Sequence, residues 1–347
     1  MASGQVAHTS GARIAGVVSC VPPRRIDNEH FLERFGEKVH EVVKMTGVQS
    51  RFWVENGATT SDLCFKAAER LLEGLGWTPD SVDGIIFVSQ TPDYRLPATS
   101  CILQDRLGLK TGIVAFDVSL GCSGYPYSLW LAMMMIQTGA AKRILLAVGD
   151  TSSIMNDGDD RGTALLFGDA GTVTAVEAST PGADPATFIL GTDGKGADHL
   201  IVPEGAFRKR EATGKLEGRQ LDKLYMDGGE VFNFTLKAVP ALIRDTLEAA
   251  GGTVEDHDVF LLHQANAFMI RHLAKKAKLP PEKVPINIDR YGNTSSATLP
   301  LLMTTDVAVS LATGERRVAM FGFGVGYSWA AASLSIGPLQ CCETVTL

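Results

Sequence analysis

In the stretch FDVSLGCSGYPYSLWLA, Phe116 to Ala132, one cysteine stands between Gly121 and Gly124, where an apolar strand-like run passes into an apolar helix-like one. A cysteine at the first turn of a helix has its thiolate favoured by the positive end of the helix dipole and by free backbone N–H groups. Cys122 is therefore a candidate nucleophile, and Pro126 with the flanking glycines fits a helix start at that point. Two further polar residues stand at comparable turns, His263 in LLHQAN and Asn293 in YGNTSS. An imidazole can donate from Nε2 to a substrate oxygen, and an amide is a donor that never loses its proton. Two neutral donors aimed at one carbonyl stabilise an enolate while a cysteine holds an acyl group. Taken singly, each residue also suits a structural role: a buried cysteine, a core histidine, a turn with a helix cap.

The elements that must position these residues are legible as alternating patterns. Strand-like runs ARIAGVVSCVP, VDGIIFVSQ, GIVAFDVSL, RILLAVGD, DVFLLHQ, VPINID and RRVAMFGFG are separated by longer helix-like segments, which predicts an α/β architecture with a largely buried sheet. The pattern occurs twice. Asp83 lies 39 positions before Cys122 and Asp258 lies 35 before Asn293, so the Gly121-Cys122 step falls on the Gly292-Asn293 step. We divide the chain into residues 1–180, carrying the cysteine, and residues 181–347, carrying the histidine and asparagine. The glycine- and charge-rich region of about 191–230 reads as surface loops. Related halves packed face to face bring corresponding strand ends into one crevice.

Bulk composition sets outer bounds. The 347 residues are 45% hydrophobic and 20% charged, which suits a well-packed globular chain, and the net charge of −7 argues against nucleic-acid binding. No run has the length of a membrane span or a signal-peptide core, so we expect a cytoplasmic protein. The six cysteines show no metal-ligand spacing, which predicts reduced thiols and no metal; Cys341 and Cys342 read as surface or tail residues. GFGVG lies late in the chain before another strand-like run, unlike a nucleotide-binding loop, and reads as a close backbone approach to the site.

In this order and spacing GCSGYPYSLWLA, DRGTALLFGDAGT, HQAN, YGNTSSATLPLLM and GFGVGYSW resemble the β-ketoacyl-acyl-carrier-protein synthase III family of the thiolase superfamily, from about residue 17 to 337. The resemblance implies a thiolase-like five-layer αβαβα fold with two pseudo-symmetric halves, a homodimer, and a Cys122-His263-Asn293 centre. It implies acylation of Cys122 by a thioester donor, acyl-CoA or acyl carrier protein, followed by decarboxylative condensation with a malonyl thioester on acyl carrier protein. The backbone N–H groups of Cys122 and Val325 would form the oxyanion hole. Arg161 and Asn266 would lie along the pantetheine/CoA channel, Lys275 and Lys276 would dock the acidic carrier protein, and Leu96 would reach the partner's acyl pocket. No cofactor is permanently bound in such enzymes. Arg208–Glu211 is a weaker basic candidate for docking.

Three positions depart from the family pattern. Glu41 and Met45 stand where CoA-using members carry a tryptophan and an arginine that clamp the adenine, which turns the expectation away from CoA as the preferred donor. Val325 replaces a glycine common in the family. The GFGVG loop also resembles that of type III polyketide synthases, so specialised metabolism is open beside fatty-acid initiation. The alternatives are a non-decarboxylating acyltransferase acting on a hydroxyl or amine and, last, a silent subunit of a heteromeric synthase. A degradative thiolase would need a second cysteine in GFGVGYSW, which has none.

Overall fold

The computed structural model of the chain describes residues 3–208 and 210–347. Eleven strands of the described residues build two sheets. They are β1 Gln5–Thr9, β2 Ala12–Val21, β3 Gly84–Val88, β4 Val114–Val118, β5 Arg143–Thr151, β6 Asp169–Ala178, β7 Ala186–Thr192, β8 Val259–Leu262, β9 Arg316–Gly324, β10 Ser328–Ile336 and β11 Cys341–Thr346. The first sheet runs β11-β2-β6-β5-β3-β4 and the second β1-β7-β10-β9-β8. In the first sheet β3 lies parallel to both neighbours, with Ile86 opposite Phe116 on one side and Leu146 on the other. In the second, β8 pairs parallel with β9, with Leu262 opposite Phe321.

Helix positions follow from side-chain patterning. Helix α1, Thr60–Leu75, starts at a capping box between Thr59 and Asp62, stops at Gly76, and buries Leu63, Cys64, Ala67, Ala68, Leu71 and Leu72 against β2 and β6. Each leucine so buried contributes about 1.5–3 kcal/mol. Helix α2, Gly124–Gln137, is apolar around most of its circumference, GYPYSLWLAMMMIQ, because it lies between the sheets and touches strands of both. Helix α5, Thr298–Thr304, shares this central layer and is buried at every residue. On the far side of the second sheet, helix α3, Gly228–Ala249, and helix α4, Ala267–Lys276, cover β7, β9 and β10 with an amphipathic face. The layers are therefore helix, sheet, helix, sheet, helix, a thiolase-like α/β arrangement.

Two sequence expectations are corrected. VPINID forms no strand: Val284 to Asn287 is irregular and Ile288–Tyr291 is one helical turn, so the second sheet lacks a counterpart of β4. Pro285 removes a ladder donor there, and the segment is tied down by its ends instead: Asn287 N–H donates to Gln264 Oε1 at 3.1 Å. Cys341 and Cys342 are no tail. They open β11, which pairs parallel with β2, and Cys341 is 4% exposed within the core behind α1.

The terminal strands cross over. β1, from the beginning of the chain, pairs with β7 of the second sheet, while β11, from its end, pairs with β2 of the first.

Candidate active site

Cys122 lies one residue before Ser123, the cap of α2. It is 7% exposed and backs onto the end of β9, where a Cβ added to Gly324 would stand 2.8 Å from its sulfur. Only glycine leaves the sulfur room at that point. The backbone N–H groups of Val325 and of Cys122 itself, with the Ser295 hydroxyl, donate toward the thiol, which would favour the thiolate, but burial outweighs them. Burial, aided by the negative charge of Asp150, pushes the thiol up to about 11. Burial thus works against the thiolate that the sequence expects the helix start to favour.

His263 follows β8, its N–H continuing the ladder onto Phe321 O at 2.9 Å. It is 2% exposed, meets the edge of Phe323 at 5.5 Å between centroids, and burial pulls its pKa down to about 3, so the ring is neutral at pH 7. Its Nδ1 lies 2.8 Å from Thr298 Oγ1, in the first turn of α5.

Asn293 is set in place by backbone from the other half. Its N–H donates to Leu166 O at 2.9 Å, and Gly168 N–H donates to its carbonyl at 3.1 Å. Gly292 makes this approach possible: its φ is +66°, and a Cβ there would lie 2.7 Å from Leu166 O. The side-chain Oδ1 accepts from Ser295 N–H at 2.9 Å, leaving the amide nitrogen as the donor available to a ligand.

The three side chains line one cavity of about 90 Å³, with Leu166, Phe167, Asn266, Phe323 and Gly324 among its other walls. None of the described residues lining it is a carboxylate or a cation. Asn266 also caps α4, its Oδ1 accepting from Met269 N–H at 2.7 Å. Arg161 stands outside this lining, half-buried at the start of a one-turn helix, five residues before Leu166 of the cavity wall. Lys275 and Lys276 are exposed at the far end of α4, roughly 15 Å along the helix from Asn266. Lys276 Nζ donates to Leu236 O at 2.9 Å. Leu96 is 79% exposed on a loop whose Arg95 lies over the ring of Phe207, itself 86% exposed. Of the Arg208–Glu211 run, Arg210 is paired with Asp198 and Lys209 lies outside the described residues.

Sequence reasoning missed Asp150 and Thr298. Asp150, 1% exposed at the end of β5, accepts from Ser89 Oγ at 3.1 Å, Gln90 N at 2.7 Å, Ser296 N at 3.3 Å and Ser296 Oγ at 2.7 Å. It ties the loop after β3 to the turn after Asn293, and its burial raises its own pKa. The signal was present: RILLAVGD ends an apolar strand on a carboxylate. Among the described residues no cluster of histidine, cysteine and carboxylates could hold a metal ion, and no helix is long and apolar enough to cross a membrane.

Residues 116–194 match the family described as 3-oxoacyl-[acyl-carrier-protein] synthase III, and residues 247–336 match its C-terminal domain. The chain is 34% identical over 321 residues to β-ketoacyl-[acyl-carrier-protein] synthase III of Clostridioides difficile, covering 92% of this chain and 97% of that one. It is 36% identical over 317 residues to the protein of that name from Syntrophomonas wolfei, covering 91% and 95%. Its structure is similar to that of 3-oxoacyl-(acyl-carrier protein) synthase from Burkholderia xenovorans, with a TM-score of 0.98, 56% identity and 99% of both chains covered. It is also similar to the priming β-ketosynthase of the R1128 polyketide pathway, with a TM-score of 0.81, 28% identity and 94% and 97% covered.

Proposed function

The chain belongs to the 3-oxoacyl-[acyl-carrier-protein] synthase III family of condensing acyltransferases, and from that premise we propose that Cys122, His263 and Asn293 divide its two half-reactions. In the first, the Cys122 sulfur attacks a thioester carbonyl, losing its proton as the S–C bond forms. The oxyanion is received by the N–H groups of Cys122 and Val325, and the donor thiol leaves protonated. In the second, a malonyl thioester on acyl carrier protein loses carbon dioxide. The charge that develops on its thioester oxygen is held by His263 and Asn293, and the carbanion carbon attacks the acyl-enzyme, releasing the cysteine and a 3-oxoacyl product.

The observation that carries this reading is the shared cavity: the Cys122 thiol, the neutral His263 imidazole and the amides of Asn293 and Asn266 line it, with the Val325 N–H directed at the sulfur. A simple acyltransferase needs a base that deprotonates its acceptor, and a carboxylate in the place of Asn293 would serve it better. The absence of any described carboxylate from the wall favours condensation.

Glu41 and Met45 are exposed, with Met45 at 59%, and neither can stack on or pair with a nucleotide phosphate as an aromatic ring and a guanidinium do. This favours a donor carried on acyl carrier protein over acyl-CoA. Lys275 and Lys276 offer the acidic carrier a local positive patch, and exposed Leu96 suits burial against a second copy. Arg161 and Asn266 remain the candidates for the pantetheine arm.

The test is intact mass after incubation with a panel of acyl-CoA and acyl-carrier-protein thioesters, with Cys122→Ala as control. One acyl mass added to the wild type alone is expected, and malonyl carrier protein should then discharge it as a 3-oxoacyl product. Equal acylation of Cys122→Ala would overturn the assignment.

A further inference from the structure

The successive carbonyls of Ala164, Leu165, Leu166 and Phe167 each accept from a residue far away in the chain. Arg51 Nη2 donates to Ala164 O, Asn28 Nδ2 to Leu165 O at 3.2 Å, the Asn293 N–H to Leu166 O at 2.9 Å, and Trp53 Nε1 to Phe167 O at 2.9 Å. Arg51 and Trp53 lie on one strand of a short antiparallel pair, Arg24–Asp27 with Ser50–Trp53, and Asn28 directly follows the other. Arg51 organises the three. Its Nη1 donates to Asn28 Oδ1, leaving the Asn28 amide nitrogen to Leu165 O and to Val48 O, the latter at 2.8 Å. The guanidinium carbon lies 4.8 Å from the ring of Trp53 and 5.0 Å from that of Phe31. The stem lies under the contact with Asn293: a Cβ added to Gly168 or to Gly292 would stand 3.1 or 3.2 Å from Arg51 Cβ.

Arg51 is fully buried, and burial pulls its pKa down to about 9 against the opposing pull of Asp169, so it is cationic at pH 7. An apolar side chain of similar volume would fill the space without the cost of burying a charge. What it could not do is hold two oxygens at a fixed spacing.

Resting on the reading of Asn293 as a donor to the malonyl thioester, we propose that Arg51 is a positioning residue for Asn293. It fixes the carbonyls of 164–167, and these fix the backbone from which the Asn293 amide is aimed into the cavity. Cys122 has no part in this chain of contacts; it is seated by the start of α2 and the end of β9. The two half-reactions therefore depend on Arg51 unequally. Formation of the acyl-enzyme needs the sulfur and its backbone donors, whereas decarboxylation needs the Asn293 amide in place.

The test separates the two steps. In Arg51→Lys, which keeps the charge and loses the fork, acylation read by intact mass should stay within about 2-fold of wild type. Carbon dioxide release from malonyl carrier protein should fall by about 10²-fold, as a displacement of about 1 Å at a reacting group causes. Trp53→Phe keeps a ring and loses only the donor to Phe167 O, so its carbon dioxide release should fall by about 5-fold, the weight of one neutral hydrogen bond. In an Asn293→Ala background neither change should slow that release by more than about 2-fold further, because residues that act through one another are not additive. Hydrogen exchange read by mass should quicken at 167–168 and 292–295 in Arg51→Lys and stay unchanged in α1. Equal slowing of both steps, a full effect of Arg51→Lys on top of Asn293→Ala, or unchanged exchange at 167–168 and 292–295 would overturn the proposal. Should Arg51→Lys fail to fold, the same comparisons on Trp53→Phe decide it. A wild type that no donor acylates would instead sink the condensing reading, with the exchange still deciding this one.

Discussion

Asn293 and Phe167 form an isolated parallel bridge between the two halves of the chain, the only backbone ladder contact of either residue among those described outside the sheets. The bridge uses main-chain groups alone, so the Asn293 side chain can be changed without unseating it. Asn293→Asp should therefore keep the fold and still form the acyl-enzyme. A carboxylate facing the developing enolate should slow condensation by about 10²-fold or more, as the loss of an oxyanion donor does. Separate assays of acyl-enzyme mass and of carbon dioxide release check this split.

Gly324→Ala places a methyl 2.8 Å from the Cys122 sulfur and 2.9 Å from its Cβ. Overpacking of this kind costs about 1–3 kcal/mol. The sulfur is displaced from the Val325 N–H, so self-acylation should fall far more than stability does. Urea unfolding and acylation rate, measured on the same sample, compare the two.

The thiol pushed up to about 11 predicts an alkylation profile for the free protein. Iodoacetamide should modify exposed Cys101 first, and Cys122 only as pH rises toward 11. Asp150→Asn removes a negative charge that raises the thiol, so its Cys122 profile should move to lower pH. The amide cannot accept from both Gln90 N–H and Ser296 N–H, and stability should drop by about 1–3 kcal/mol. Peptide mapping across pH, beside thermal unfolding, reads both effects.

For His263 the folded pKa, about 3, lies below the ordinary 6.5. Its contribution to stability is therefore fully present above pH 6.5 and is lost as pH falls toward 3. Between pH 6.5 and 5 the loss amounts to about 2 kcal/mol. His263→Gln has no such proton to take up, so the stability gap between wild type and variant should shift toward the variant by that amount. Chemical unfolding of both proteins at pH 7 and pH 5 measures it.

A chain ending at Leu339 lacks β11. Had Cys341 and Cys342 been tail residues, the deletion would be silent. Because β11 covers the edge of β2 and Cys341 packs behind α1, it should cost roughly 3 kcal/mol, the burial of one to two side chains, and expose a strand edge prone to association. Urea unfolding and light scattering of the truncated chain check the two consequences.

What could be read from the sequence was three of the polar residues that line the cavity. Cys122 stood out because glycines flank it at a strand-to-helix change, and His263 and Asn293 because a repeated pattern set them at matching turns. Asp150 and Thr298 escaped notice because they act from behind, through hydroxyls and backbone brought close only by the fold. VPINID misled because its apolar content suggested a strand where a proline and the Gln264–Asn287 contact hold an irregular segment. In CCETVTL the β-branched Thr344, Val345 and Thr346 were a strand signal, outweighed by their place at the chain's end.

The crossing of the terminal strands has a bearing on how the molecule is made. On the ribosome β1 has no partner until β7 follows it, and β2 keeps one edge open until β11 has left the exit tunnel. Neither half can finish its sheet from its own stretch of chain. Assembly therefore closes late and all at once, and a nascent chain stalled before residue 341 would be a substrate for chaperones rather than a half-built enzyme.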